Sequence, residues 1–314
     1  MKRKKLLGAL GTLLLALAAA WYALPGLFHP ALLAANRGLS GLAEHTVQAA
    51  GHRLHYLDGG QGEPVVLLHG IFAEKDHWVD FARPLTGTYR VLVPDLPGYG
   101  ESERKPQERY DYASQVRRLR ELLDVLGLPR VHLAGSSMGG TIAALFALEH
   151  PQRVASVAFI GSPHGIRSPV ASAMDRRIDA GEAPLVARTP AQHEAMLSLV
   201  FARRPFLPYP VLAASRADAI ARAQGNQRLW EQQLADRWLL DARVAQLAAP
   251  TFVLWGEADQ VFDVSGAEVL RQRLPRAQVL RPAGIGHLPM MEAPRESAEA
   301  YAAFLRQLAR QPGH

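Results

Sequence analysis

Cysteine is absent from all 314 residues. That removes thiolate nucleophiles, cysteine-ligated zinc, iron–sulfur clusters, disulfide frameworks and a lipidated N-terminal cysteine. Any metal site would have to be built from histidines and carboxylates. Low-complexity blocks and internal repeats are missing too. With 48% hydrophobic and 20% charged residues, the chain has the composition of a folded protein and the length to bury one large core. Acid is missing from the first 43 residues, which hold Lys2, Arg3, Lys4, Lys5 and Arg37. Removing these five from totals of 35 basic and 29 acidic side chains leaves 30 against 29, so the net charge of +6 belongs to the N-terminal tail. The body is near neutral and shows neither a Lys/Arg stripe nor a nucleic-acid module, which argues against nucleic acid as a partner.

What is present begins with a long apolar run. Residues 6–24 contain one polar side chain, Thr12, and close with Trp21, Tyr22 and then Pro25. As a helix, 19 residues rise about 28 Å, close to the roughly 30 Å hydrocarbon thickness of a bilayer. The run predicts a retained single-pass anchor over residues 1–25. A cleaved signal peptide is the alternative, because Ala18, Ala19 and Ala20 offer a processing site. The basic cluster stays on the cytoplasmic side in either case, which puts the body on the opposite side or exports it. Residues 26–43 read as a linker or a membrane-surface segment.

From residue 44 onward, short strand-like runs alternate with helical periods, the signature of an α/β sheet. Strands are predicted at 46–49, 53–57, 65–68, 91–94, 131–134, 154–160, 251–255 and 278–280. The first two are a hairpin about Gly51; helical stretches at 113–126, 139–149, 265–274 and 294–308 separate later ones and make the sheet mainly parallel. Between 160 and 251 no strand is evident. A compact fold does not leave such a stretch unstructured, so 162–246 is read as a helical cap inserted in a core of 44–161 and 247–314. Arg203 to Pro210 predicts a bend between cap helices.

The strongest local signal is Gly135-Ser136-Ser137-Met138-Gly139, which follows a strand and opens a helix. The chain reverses so tightly there that side chains two positions either side of Ser137 would collide with the neighbouring strand and helix, hence Gly135 and Gly139. Ser137 is held at the tip, and the Met138 N–H sits at a helix N-terminus, where it can meet negative charge. A serine hydroxyl needs a base, and the base needs an orienting group. His287, in a glycine-flanked loop after the last strand, is the candidate base. The acid is sought at a strand end between the two. The strand ending at Ile160 leads into Gly161-Ser162-Pro163-His164, without a carboxylate; the one ending at Trp255 offers Glu257, Asp259 and Asp263. Asp259 is preferred, with Asp263 read as a helix cap and Glu257 as a solvated turn residue. His69-Gly70-Ile71 follows the third strand. Ile71 is expected to supply a second N–H to an oxyanion, and His69 to be structural. The loop from Asp95 to Ser102 shapes the site wall.

The order Ser137, Asp259, His287, with His69-Gly70-Ile71-Phe72 ahead of it and Asp95-Leu-Pro-Gly-Tyr-Gly100 between, resembles the α/β-hydrolase superfamily. Gly135 to Gly140, the stretch 254–291 and an N-terminal membrane helix are similar to the membrane-anchored monoacylglycerol-lipase branch and related bacterial lipases. The resemblance implies Ser137 as nucleophile, His287 as general acid/base, Asp259 as its partner and the N–H groups of Ile71 and Met138 as oxyanion hole. The expected activity is serine ester hydrolysis of acylglycerol-like or medium-chain acyl esters, with no metal or organic cofactor. Relatives that open carbon–carbon bonds share the Ser-Met-Gly-Gly elbow. Carbon–carbon hydrolysis, acyl transfer and a silent binding protein of this fold therefore remain alternatives. Phe201, Phe206, Leu207, Tyr209, Val211 and Leu212 form either a lip toward the bilayer or the cap's own small core.

Overall fold

In the computed structural model, residues 2–310 are described, with side chains at position 7 and from 10 onward. Eight strands run in the sequence β1 (Ala43–Ala49), β2 (His52–Gly59), β3 (Pro64–Leu68), β4 (Arg90–Pro94), β5 (Val131–Ser137), β6 (Val154–Pro163), β7 (Thr251–Leu254) and β8 (Gln278–Leu280). They form one sheet in the order β1-β2-β4-β3-β5-β6-β7-β8. β2 pairs antiparallel with β1 and β4; every other pairing is parallel. The parallel strands read as continuous apolar runs because both faces are covered. Val66, Leu68, Leu133 and Phe159 face one core cluster, whereas Val65, Leu67, Ala134 and Ile160 face the other.

The helices are α1 (Lys2–Ala23), α2 (Pro25–Leu39), α3 (Val79–Ala82), α4 (Tyr112–Val125), α5 (Met138–Glu149), α6 (Ala173–Asp179), α7 (Pro190–Val200), α8 (Tyr209–Ala221), α9 (Ala223–Ala235), α10 (Ser265–Arg273), α11 (Pro289–Glu292) and α12 (Pro294–Ala309). α4 opens at an N-cap aspartate, Asp111, which accepts from the Ser114 N–H at 2.8 Å, an arrangement worth about 1 kcal/mol. α6 to α9 lie between β6 and β7 and form the helical cap, with α8 starting at Tyr209 after the expected bend.

Three strands run past their predicted ends: β2 to Gly59, and β5 and β6 by three residues each. β5 continues to Ser137 and β6 to Pro163, because the two pair in parallel and Ser137 stands in register with Pro163 after a shift beyond Gly135. That extension carries the serine to the carboxyl end of the sheet.

The apolar N-terminal run is helical, but it turns by 92° at Leu24 into α2. Among the described residues no single helix is long and apolar enough to cross a membrane; the bent pair 10–39 passes by length and composition together. The side chains of the basic cluster Lys2 to Lys5 lie outside the described residues. Where a linker or surface segment is expected, α2 is a helix that packs on cap helix α8, and the rings of Tyr22 and Tyr209 meet at 4.9 Å. Of the six residues weighed as a lip, Phe201 is core, Phe206 is 90% exposed and the others are half-buried.

Candidate active site

Ser137 ends β5 and begins α5 with φ 52° and ψ −118°, a left-handed-side backbone that L-residues adopt only at a cost of about 1–3 kcal/mol. The glycines around it make the turn possible. A Cβ on Gly135 would lie 2.3 Å from the Gly139 carbonyl group, and one on Gly139 would lie 2.2 Å from the Leu68 oxygen. Although Ser137 occupies the N-cap position of α5, its hydroxyl makes no capping bond and is not committed to the helix. The neighbouring loop comes equally close: a Cβ on Gly70 would stand 3.3 Å from Ser137 Cβ. Ile71, Ser137 and Met138 line one pocket together.

His69 organises that loop as the expected structural residue. Its ring nitrogen Nδ1 donates to the Gly70 carbonyl at 2.7 Å and Nε2 accepts from the Leu96 N–H at 3.0 Å, so the two partners fix a neutral tautomer. Burial lowers the imidazole's affinity for a proton in the same direction. Asp95 is also structural. Its carboxylate accepts from the Lys75 N–H at 2.6 Å, the Lys75 ammonium at 3.0 Å and the Glu101 N–H at 2.9 Å.

His287 and Asp259 meet in the protein interior. His287 Nδ1 lies 3.0 Å from Asp259 Oδ2. The other carboxylate oxygen, Oδ1, accepts from the N–H groups of Val261 and Phe262 at 2.8 and 3.0 Å, which orients the acid from behind. Asp263 instead accepts from the Ser265 N–H at 2.9 Å, at the start of α10, and Glu257 is exposed. A third group had no visible signal in the sequence. Ser162, near the end of β6, donates its hydroxyl to Asp259 Oδ2 at 2.6 Å and lies 2.9 Å from His287 Nδ1. It occupies the other strand end at which a carboxylate was sought.

Ser137 stands beside Pro163 on the adjacent strand, while the imidazole touches Ser162. The Phe262 ring packs on the His287 ring at 5.6 Å and lines the Ser137 pocket. Among the described residues the Ser137 hydroxyl is not hydrogen-bonded to His287. Such bonds commonly tighten only with substrate in place.

The pocket is largely apolar. Besides Ser137 and the Trp230 indole, its polar groups are Gln233 and the Tyr112–His164 pair, joined at 2.7 Å. Burial, assisted by Arg237, lowers the His164 pKa to about 4, and burial pushes the Tyr112 phenol up, so both are neutral near pH 7. Away from the pocket, Glu44, His55 and Glu101 bring ligand-type atoms within 4.8 Å of one another. The Lys75 ammonium and Arg37 guanidinium already pair with these carboxylates.

A mainly parallel sheet, a strained serine at a strand–helix turn and a buried aspartate–histidine pair at neighbouring strand ends define an alpha/beta hydrolase. Residues 63–294 match that fold family, and the chain belongs to it. Among its relatives, "Lipase 1" of Psychrobacter immobilis is 32% identical over 260 residues, 82% of this chain and 81% of that one. Monoacylglycerol lipase abhd6-B of Xenopus laevis is 32% identical over 266 residues, 81% and 79% of the two chains. Of solved structures, a bacterial membrane phospholipase A superposes with TM-score 0.89 at 39% identity, covering 99% of this chain and 100% of that one. The Acinetobacter baumannii protein described as a "putative lipase (lip1)" superposes at 0.83 with 26% identity, covering 90% and 96%.

Proposed function

We propose that this hydrolase cleaves carboxylic esters of lipid alcohols, acylglycerol-like or of medium acyl length, through an acyl-enzyme on Ser137. The observation that carries the reading is the buried Asp259–His287 pair at 3.0 Å, held in the loops after β7 and β8 at the same carboxyl end of the sheet as the strained Ser137 turn. Relatives named lipase, monoacylglycerol lipase and membrane phospholipase A support an ester of a lipid as the substrate.

The steps follow from the chemistry of these groups. With Nδ1–H directed at Asp259, His287 presents Nε2 as the base; it takes the Ser137 proton as Oγ adds to the ester carbonyl. Negative charge moves to the carbonyl oxygen, where the N–H groups of Ile71 and Met138 receive it, each worth about 2.7–4 kcal/mol of transition-state stabilisation. The imidazolium, stabilised by Asp259, then protonates the departing alcohol, leaving an acyl-serine. Water, activated by the same imidazole, adds to that ester and releases the acid and the free serine.

The N-terminal helices are assigned to a membrane, as an anchor (1–25) and a following segment (26–43), with the core (44–161 and 247–314) and cap (162–246) on the non-cytoplasmic side. The length and composition of the bent pair support this, as does the membrane phospholipase A relative. Resistance to extraction at alkaline pH and protease access from the outer face test it; release of the full-length chain at high pH would refute it.

The decisive experiment is labelling by a fluorophosphonate probe followed by an ester panel graded by chain length. Labelling that disappears in Ser137→Ala, with turnover lowered by about 10⁴–10⁶ in Ser137→Ala and His287→Ala, is the expected result. Faster hydrolysis of vinylogous diketones than of any ester would reassign the reaction to carbon–carbon cleavage.

A further inference from the structure

The wall of the pocket beside Ser137 includes a residue with a polar atom that the described residues leave unsatisfied and the reaction on Ser137 does not use. Gln233, on α9, lines that pocket and is 4% exposed. Its amide nitrogen donates to the Tyr110 carbonyl at 2.9 Å. This bond fixes the orientation of the amide, since the flipped form would set two carbonyl oxygens against each other. The side-chain oxygen Oε1 therefore faces away from Tyr110, and it is buried with no hydrogen-bond partner among the described residues. Around it the lining is apolar, with Met174, Ile178, Leu185, Trp230, Leu234 and Phe262.

A buried acceptor without a donor is unfavourable, and native proteins rarely keep one unless a ligand or water completes it. A simple ester cannot do so. Both ester oxygens are acceptors and the chains are hydrocarbon, so the donor must be an additional hydroxyl or N–H on the substrate. We propose that Gln233 determines specificity: its Oε1 accepts a hydrogen bond from a free hydroxyl or N–H of the substrate, and the enzyme selects esters bearing such a donor over donor-free esters of equal length. This rests on the Ser137 hydrolase reading and narrows it to hydroxylated esters such as incompletely acylated polyols.

The test compares kcat/KM of the full-length protein on matched esters. Glyceryl dodecanoate against propyl dodecanoate places the hydroxyls in the leaving alcohol; propyl 12-hydroxydodecanoate against propyl dodecanoate places one in the acyl chain. Wild type should favour the donor-bearing ester by about tenfold in at least one pair, and Gln233→Leu and Gln233→Met should each erase that preference. Equal losses on all three esters would mean a purely structural residue and overturn the proposal. An unchanged ratio would mean that a buried water satisfies the acceptor, and would overturn it equally. Should both variants fail to fold, the wild-type ratios decide, and absence of preference in both pairs overturns it. Failure of the hydrolase reading is distinguishable: wild type would turn over none of the esters and would not react with a fluorophosphonate.

Discussion

Ser162 and Asp259 hold the same histidine from two neighbouring strand ends. The hydroxyl donates to the carboxylate oxygen that His287 Nδ1 approaches, so it fixes that oxygen while its own lone pair faces the ring. Asp259→Asn should lower kcat by about 10⁴, since an amide can hold the wrong tautomer of the imidazole. Asp263→Asn, one residue ahead of the α10 N-cap Val264 and not the helix cap expected of it, should cost a few-fold at most. Ser162→Ala is expected to lower kcat about tenfold with KM little changed, and steady-state kinetics on one soluble ester separates the three variants. Asp259 was legible as a candidate because the strand end at Trp255 offers carboxylates whereas the one at Ile160 offers none, and the structure brings it to His287. Ser162 was not. Its role depends on β6 running to Pro163 and on a hydroxyl rotamer, neither of which apolar periodicity encodes. Gln233 was equally silent, since an unsatisfied oxygen is a property of three dimensions.

The eight strands were readable because burial on both faces leaves unbroken apolar runs, whereas α2 was not, its sequence carrying the same alanines and leucines as a linker at a membrane. Besides its packing on α8, α2 is tied to the body by Arg37. Its guanidinium makes two bonds of 2.6 Å to Asp76 and also pairs with Glu44. Asp76 follows Lys75, whose fully buried ammonium binds Asp95 and Glu101 just beyond the Ile71 loop. Burial pulls the Arg37 and Lys75 pKa values down, but the surrounding carboxylates outweigh it and raise both. In the sequence Arg37 counts only as part of a basic tail, because Asp76, its main partner, is 39 positions away. Breaking a largely buried pair of this kind costs about 3 kcal/mol. Arg37→Ala should therefore lower the unfolding temperature by several degrees in a detergent-solubilised thermal melt. The loss should persist at high salt, in contrast to a surface pair such as Arg295–Glu299.

Across the whole molecule, stability should decline on both sides of neutrality for identifiable reasons. His77 and His164 are neutral when folded, burial lowering each to about 4 from 6.5. The unfolded chain binds those protons more readily, so their contribution is complete above about 6.5 and is lost as pH falls toward about 4. His77→Gln should flatten that acid limb in denaturant titrations run across this range. Glu74 acts with the opposite sign. Desolvation, with Asp95 and Asp76 nearby, raises its carboxyl from 4.5 to about 8, so the folded state is favoured below about 4.5 and loses ground as pH climbs through about 8. Glu74→Gln should match wild type at pH 4 and become progressively more stable than it up to pH 9; a constant difference across that range would remove Glu74 as the cause.

The loop that presents His287 is tied directly to the cap. The His287 N–H donates to the Val200 carbonyl at the end of α7, and Glu292 joins the Gly286 N–H to the Arg203 N–H across the same gap. Lifting that part of the roof would slacken the proton acceptor together with it. On the ester-hydrolase reading proposed above, a substrate admitted while this hinge stays shut meets the base already in place, which makes admission and readiness for attack a single mechanical condition.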